Sequence, residues 1–170
     1  MKYLIVQGSS RTDGNTAQIA DILAKKLEAD IIHLKELDIH PYSYDHEHAD
    51  DDFLPTMCKL VTYDVVIFAT PVYWYTMSGR MKNFFDRITD CLKTDKETGR
   101  QLRGMHMAAI SCGSDHHEVE GFFVPFRESA GYLGMHYLGD IHTWVEGDDL
   151  HQAVVKRLLK RTKDFFINSF

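Results

Sequence analysis

Apolar residues recur along this chain in two alternating patterns. Tyr3-Leu4-Ile5-Val6 is short and continuous, the mark of a strand buried on both faces, and a first strand is predicted over 2–6. From Thr16 to Leu27 the apolar positions Ile19, Ala20, Ile22, Leu23 and Leu27 fall three and four apart, which predicts a helix lying on a sheet. Beyond the polar turn 28–30, Ile31-Ile32-His33-Leu34 predicts a second strand, less uniformly apolar and so placed at an edge. A helix through Phe53, Met57, Leu60 and Val61 follows, with Asp51-Asp52 at its cap and Pro55 in its first turn. Asp64 then opens Val65-Val66-Ile67-Phe68-Ala69, the most buried-looking strand.

The alternation continues to the end of the chain. Ser78-Gly79 starts a helix through Met81, Phe84, Phe85, Ile88 and Leu92, and a charged connection over 95–104 is predicted to turn at Gly99. A fourth strand spans 105–112, and a helix carrying Phe122, Phe123, Phe126 and Leu133 kinks or restarts at Pro125. The fifth strand covers 136–144, and a closing helix over 148–166 carries Leu150, Val154, Val155, Leu158, Leu159 and Phe165. Strands alternating with helices imply right-handed crossovers and a parallel sheet covered on both faces. The strand order 2-1-3-4-5 brings the loops after strands one, three and four to a single crevice, where ligands bind. With no repeat, low-complexity tract or linker, residues 1–170 read as one domain.

Composition narrows the classes of function. A net charge of −6 argues against a generic nucleic-acid or anionic-membrane surface, and the cluster Lys156, Arg157 and Lys163 reads as the solvated side of the last helix. No run approaches the roughly 20 apolar residues of a membrane span, and a cytoplasmic location is expected. Cys58, Cys91 and Cys112 are odd in number and far apart, without a C-x-x-C pair, so neither a disulfide framework nor a zinc or iron–sulfur site is indicated. Cys112, ending an apolar run, is expected to be buried.

The chemistry gathers in the three crevice loops. In Gly8-Ser9-Ser10-Arg11-Thr12-Asp13-Gly14-Asn15-Thr16, a strand breaks at glycine, passes through hydroxyls and restarts as a helix. Amide N–H groups and a helix dipole converge at such a turn. Gly14 permits close backbone approach, Ser9, Ser10, Asn15 and Thr16 are short donors, and Arg11 adds a fork suited to phosphate oxygens. The spacing is neither a Walker A loop nor a dinucleotide fingerprint, and an ordinary Ser/Asn-capped turn is the competing account. Thr70-Pro71-Val72-Tyr73-Trp74-Tyr75-Thr76-Met77 puts three aromatics where a polar turn belongs. Pro71 fixes the backbone, and Tyr73, Trp74 and Tyr75 can wall a flat heteroaromatic or cover the sheet end or an interface. Gly113-Ser114 begins the third loop and suits closure over the other edge of a ring. A phosphate cradle with two ring walls describes a mononucleotide pocket, and flavin mononucleotide (FMN) fits it.

The loop Gly-Ser-x-Arg-x-x-Gly-Asn-Thr, together with Thr70-Pro71-Val72-Tyr73-Trp74 and Ser78-Gly79-x-Met81-Lys82-x-Phe84-x-Asp86-Arg87, resembles the flavodoxin-like NAD(P)H-dependent FMN reductases and quinone reductases over nearly the whole chain. The resemblance implies a flavodoxin-like three-layer sandwich with FMN as cofactor and NADH or NADPH as co-substrate. It also implies that Ser9, Arg11, Asn15 and Thr16 hold the phosphate. Pro71, Val72, Tyr73 and Trp74 would contact the isoalloxazine, and Gly113 and Ser114 its pyrimidine side. A homodimer or homotetramer with the flavin near the subunit interface is implied as well. The related iron–sulfur flavoproteins carry a cysteine cluster where this chain has Ile39-His40-Pro41-Tyr42-Ser43-Tyr44-Asp45-His46-Glu47-His48. Without the thiols no cluster is expected, and the loop is free to shape the substrate entrance.

That loop, with Asp50 to Asp52, contains possible metal ligands, but a solvated acidic loop is the preferred account and no metal is assigned. His116-His117 admits contact with the flavin edge or simple exposure. Because the cofactor carries the redox chemistry, no catalytic acid or base is named. The expected reaction is a ping-pong transfer from NAD(P)H to a small quinone, flavin, nitro or azo acceptor. The alternative is a flavodoxin-like electron carrier that binds FMN and a protein partner.

Overall fold

Alternation within the central strands divides the core in two. Tyr3–Gln7 (β1), Val65–Pro71 (β3) and His106–Gly113 (β4) are buried along nearly their whole length in the computed structural model, which describes residues 1–145, 150 and 152–166, excluding the side chains of 163–166. Leu4, Val6, Val66, Phe68, Met107 and Ala109 point to one face. They meet Phe53, Met57 and Leu60 of α2 (Phe53–Leu60), Met81 and Phe84 of α3 (Gly79–Lys93) and Phe126 of α5 (Val124–Leu133). Ile5, Ile67, Ala69, Ala108 and Ile110 point to the other face, against Ile19 and Leu23 of α1 (Asn15–Leu27) and Leu158 of α6 (Gln152–Phe166). A strand with apolar residues at every position therefore serves two cores at once, which explains the unbroken runs in the sequence.

With Asp30–His33 (β2) and His136–Trp144 (β5) the sheet is wholly parallel, in the order β2-β1-β3-β4-β5. The predicted topology and the edge position of the second strand are both found. The carboxyl ends of β1, β3 and β4 lie side by side, with Gln7 in register with Ala69 and Pro71 with Cys112. One irregularity falls in β5. The register slips between Met107 and Ala108, where Gly139 takes φ +129°, so that His142 rather than Ile141 lies opposite Ser111.

Several local expectations are corrected. The connection 95–104 is no simple turn: Lys96–Gln101 forms a short helix, α4, capped by Asp95, with Gly99 buried inside it. A Cβ on Gly99 would lie 2.1 Å from the Cys91 carbonyl, so the glycine serves helix packing rather than chain reversal. Pro125 sits in the first turn of α5, which starts only at Val124, so Phe122 and Phe123 reach the core from the preceding turn. Asp52 takes the N-cap position of α2, but its side chain caps nothing. Its carboxylate accepts from Asp38 N–H instead, and Asp51 receives the Phe53 amide. β3 extends through Pro71, beyond the predicted Ala69. The closing helix is described from Gln152; the predicted start at Asp148 and the Lys163 and Phe165 side chains lie outside the described residues. Cys112 is buried, as expected.

Candidate functional site

The loop after β1 is shaped by a buried side chain that the sequence pattern left unremarked. Gln7, the last residue of β1, donates from Nε2 to the Arg11 carbonyl (3.0 Å) and accepts the Ser9 amide at Oε1 (3.2 Å). Ser9 Oγ in turn accepts the Arg11 amide at 3.2 Å. Gly8 N–H pairs with Ala69 O on β3 (2.8 Å), and a Cβ at Gly8 would lie 2.9 Å from Met81 Cε. The loop is thereby pressed onto α3. Helix α1 starts at Asn15 with Gly14 as N-cap, without a side-chain cap and without an acid in its first turn. Among the described residues, the amides of Asn15, Thr16 and Ala17 donate to no protein acceptor.

Uncapped amides at the positive end of a helix are an anion site in waiting. The competing account of a capped turn fails on this observation. Ser9 and Thr16 are buried beside these amides, while the Arg11 guanidinium remains exposed, in an ion pair with Asp13 at 3.6 Å. The three amides have no protein acceptor among the described residues and the guanidinium meets only the exposed Asp13, a surplus of donors of the kind that a phosphate group requires.

The aromatic loop is a tight reversal. Tyr73 N–H meets Thr76 O at 2.9 Å and Thr76 N–H meets Tyr73 O at 3.1 Å. The two residues between them, Trp74 and Tyr75, both hold positive φ, +47° and +66°. Such backbone is uncommon outside glycine and costs about 1–3 kcal/mol per residue, and it clusters at functional sites. Trp74 is 91% exposed and Tyr75 72%. Ser78 ties this loop to the first one. Its Oγ donates to Gly8 O (2.6 Å) and accepts the Met81 amide (3.1 Å), while its own N–H donates to Thr70 Oγ1 (3.0 Å).

At the end of β4, Val72 N–H pairs with Cys112 O at 2.9 Å and Val145 N–H with Gly113 O at 3.2 Å. Burial pushes the Cys112 thiol up, outweighing hydrogen bonds with Thr143 and Thr16, so it stays a thiol at neutral pH and is no nucleophile. His142 is buried, with Nδ1 2.7 Å from Ser111 Oγ and Nε2 3.0 Å from Asp115 O.

These loops enclose two adjoining cavities. The first, about 410 Å³, is lined by Ser9, Arg11, Gly14, Asn15, Thr16, Pro71, Val72, Tyr73, Gly113 and Ser114, with Cys112 and Val145. Ten of the eleven residues singled out from the sequence therefore share one wall. Trp74 lines the second cavity, about 300 Å³, with Tyr75, Asp115, His117, Val119 and His142; Val72, Gly113 and Ser114 border both. Sequence reasoning missed Gln7, Cys112, His142 and Val145. A lone polar residue closing an apolar strand was the available signal for Gln7, whereas nothing local marks Val145.

The His/Asp-rich loop is held elsewhere. Arg87 on α3, almost wholly buried, donates to the carbonyls of His40 (2.9 Å) and His48 (3.1 Å), to Asp90 (2.6 Å) and to both oxygens of Asp51. His46 Nδ1 lies 2.9 Å from Asp90, and the His40 and His48 rings stack with centroids 4.5 Å apart. Burial alone would raise the Asp51 carboxyl, but hydrogen bonds from Arg87 and from the Phe53 and His40 amides, with the Arg87 charge, hold it below its ordinary value. A cavity under this loop, lined by Pro41, Tyr42, Tyr44 and His46 against α3, shares no lining residue with the two described above. The expected role at the cleft entrance finds no support in this placement. Among the described residues, no group of three or more His, Cys, Asp or Glu side chains is arranged to hold a metal ion.

The chain is also similar to known proteins over nearly its whole length. A family model described as NADPH-dependent FMN reductase matches residues 1–148. The Bacillus subtilis protein YwqN, named as an NAD(P)H-dependent FMN-containing oxidoreductase, is 30% identical over 179 residues, covering 95% of this chain and 98% of its own. Among solved structures, the Trp repressor binding protein of Bacillus subtilis superposes with a TM-score of 0.78 at 21% identity, covering 99% of each chain. An FMN-dependent NADH-azoreductase from Bacillus anthracis, solved in complex with FMN, superposes with a TM-score of 0.68 at 9% identity, covering 96% of this chain and 99% of its own.

Proposed function

The chain belongs to the NADPH-dependent FMN reductase family, an FMN-containing oxidoreductase dependent on NAD(P)H, and from that premise we propose that it delivers electrons to a small quinone, flavin, nitro or azo acceptor in a ping-pong sequence. Bound FMN supplies the two-electron relay between nicotinamide and acceptor. The observation that carries the site assignment is the meeting, in one cavity, of the uncapped α1 terminus with the ends of β3 and β4.

In this reading Ser9, Arg11, Gly14, Asn15 and Thr16 hold the phosphate through amides, hydroxyls and a guanidinium. Pro71, Val72, Tyr73 and Trp74 would flank the isoalloxazine. Gly113 and Ser114 border its pyrimidine edge, where backbone donors stabilise negative charge. No side chain is assigned as acid or base. In the same reading nicotinamide and acceptor use one cleft in turn, the ping-pong order; the adjoining of the two cavities through Val72, Gly113 and Ser114 is compatible with such a shared cleft.

The test is spectroscopic. Purified protein is expected to be yellow and to bleach with NADH or NADPH under anaerobic conditions, and anaerobic addition of a quinone or azo dye is expected to restore the colour. A bleached protein that no member of the four acceptor classes reoxidises would overturn the assignment of acceptors. A yellow protein that neither nucleotide bleaches would point instead to an electron carrier.

A further inference from the structure

His142 plays no part in the function just described, yet it is one of the few buried polar side chains bordering the ring side of the cleft. Its place is set by the irregularity in β5, which brings it opposite Ser111. Ser111 and Gly113 are two residues apart on β4 and so share a face of the sheet. A Cβ built on Gly113 would lie 3.1 Å from His142 Cε1, so the imidazole forms the floor beneath the glycine. Trp144 backs it, nearly parallel, with centroids 6.2 Å apart.

Both ring nitrogens are engaged, and the partners determine the tautomer. Asp115 O can only accept, so Nε2 carries the hydrogen; Nδ1 then accepts from the Ser111 hydroxyl. The consequence reaches the turn above. The Gly113 carbonyl is drawn to Val145 N–H and the Asp115 carbonyl to His142 Nε2–H, both on the β5 side. In a trans peptide the C=O of one residue and the N–H of the next point in opposite directions, and no cis bond occurs among the described residues. The Ser114 amide is thereby turned away from Val145 and the His116 amide away from the imidazole, in a turn whose Ser114 and Asp115 line the cleft with Val72, Trp74 and Tyr75. Among the described residues neither amide donates to a protein acceptor.

We propose that His142 is a positioning residue for the cofactor: by holding the Asp115 carbonyl it presents the His116 amide, beside that of Ser114, as a donor pair for the carbonyl edge of the flavin pyrimidine. This rests on the FMN assignment above. A donor aimed at that edge gains strength as the reduced ring accumulates negative charge there, so it favours the reduced cofactor over the oxidised one. His142 itself does not touch the flavin in this account. It acts through the 115–116 peptide.

The test replaces His142 with phenylalanine, which keeps a flat ring under Gly113 and against Trp144 but removes both nitrogens. The midpoint potential of bound FMN is measured against a reference dye, and the dissociation constant of oxidised FMN by fluorescence titration. His142→Phe is expected to weaken reduced FMN about tenfold relative to oxidised FMN, which for a two-electron couple lowers the potential by about 30 mV. His142→Gln, which retains a donor near the Nε2 position, is expected to recover most of that loss. Ser111→Ala, a milder change that releases Nδ1, is expected to shift the potential in the same direction by less, and it stands as the test if His142→Phe does not fold. An unchanged potential in His142→Phe, or in Ser111→Ala where it replaces that variant, overturns the inference alone. A wild-type protein that binds no FMN overturns the underlying assignment and the inference with it.

Discussion

Arg11 illustrates how a single side chain can be placed by its neighbours and still await its ligand. Gln7 and Ser9 fix its backbone, yet the guanidinium is largely exposed, and its only ion pair among the described residues is a loose one with Asp13. An exposed pair of this kind contributes little to stability, so the charge is available to a phosphate. Arg11→Ala is expected to leave the melting temperature within about 1 °C, because exposed substitutions cost under roughly 0.5 kcal/mol. FMN affinity, read by fluorescence titration, should fall about tenfold, the lower part of the range for a hydrogen bond to a charged group. Equal affinity in variant and parent would remove Arg11 from the site.

At the scale of elements, α3 organises more than its own length. Its capping residue Ser78 bonds to the backbone of the loop after β1 at one end, and about two and a half turns later Arg87 gathers two carbonyls and two carboxylates from its surroundings. Removing one partner from such a buried cluster leaves uncompensated charge. Arg87→Ala is expected to cost about 3–5 kcal/mol, roughly 10 °C in Tm for a chain of this size. Arg87→Lys should recover only part of this, since an ammonium cannot reproduce the fork. The same cluster predicts an acid sensitivity. Because the folded Asp51 carboxyl lies below its unfolded value, its contribution is complete above about pH 5 and is lost as the pH falls through that lowered value. Urea midpoints at pH 5 and pH 3 should therefore converge in Asp51→Asn relative to the parent.

For the molecule as a whole, the proposed sequence of events makes a kinetic prediction. If the two reactants occupy one cleft in turn, double-reciprocal plots at several acceptor concentrations should be parallel; intersecting lines would require both to be bound together. A groove between α3 and α5, about 660 Å³ and lined by Phe85, Ile88, Leu92 and Leu133 beside the exposed Tyr132, offers one apolar face for the homodimer or homotetramer that the sequence resemblance implies. Light scattering at micromolar concentration should give at least twice the monomer mass, and Tyr132→Glu should reduce it if that face is used.

The strands and their order were legible in the residues themselves, and ten of the residues expected at the site line one cavity. Unbroken apolar runs identified strands buried on two faces, and that burial compels a parallel sheet whose crevice lies at known loops. Short donors, glycines and an arginine in one such loop specified an anion site because local chemistry alone makes them suitable. Contacts between distant segments were not legible. Gly99 looked like a turn because its need arises from the Cys91 carbonyl, and which of Asp51 and Asp52 turns its carboxylate to α2 is settled by distant partners, since Asp38 engages Asp52 while Arg87 and the Phe53 amide engage Asp51. The position of His142 depends on a one-residue slip in β5, and in a strand such a slip carries every following side chain to the opposite face. Patterns of burial and local donor chemistry are properties of a segment and can be read along it; which hydrogen bond a buried polar group makes is decided only when the sheet brings its partner within 3 Å.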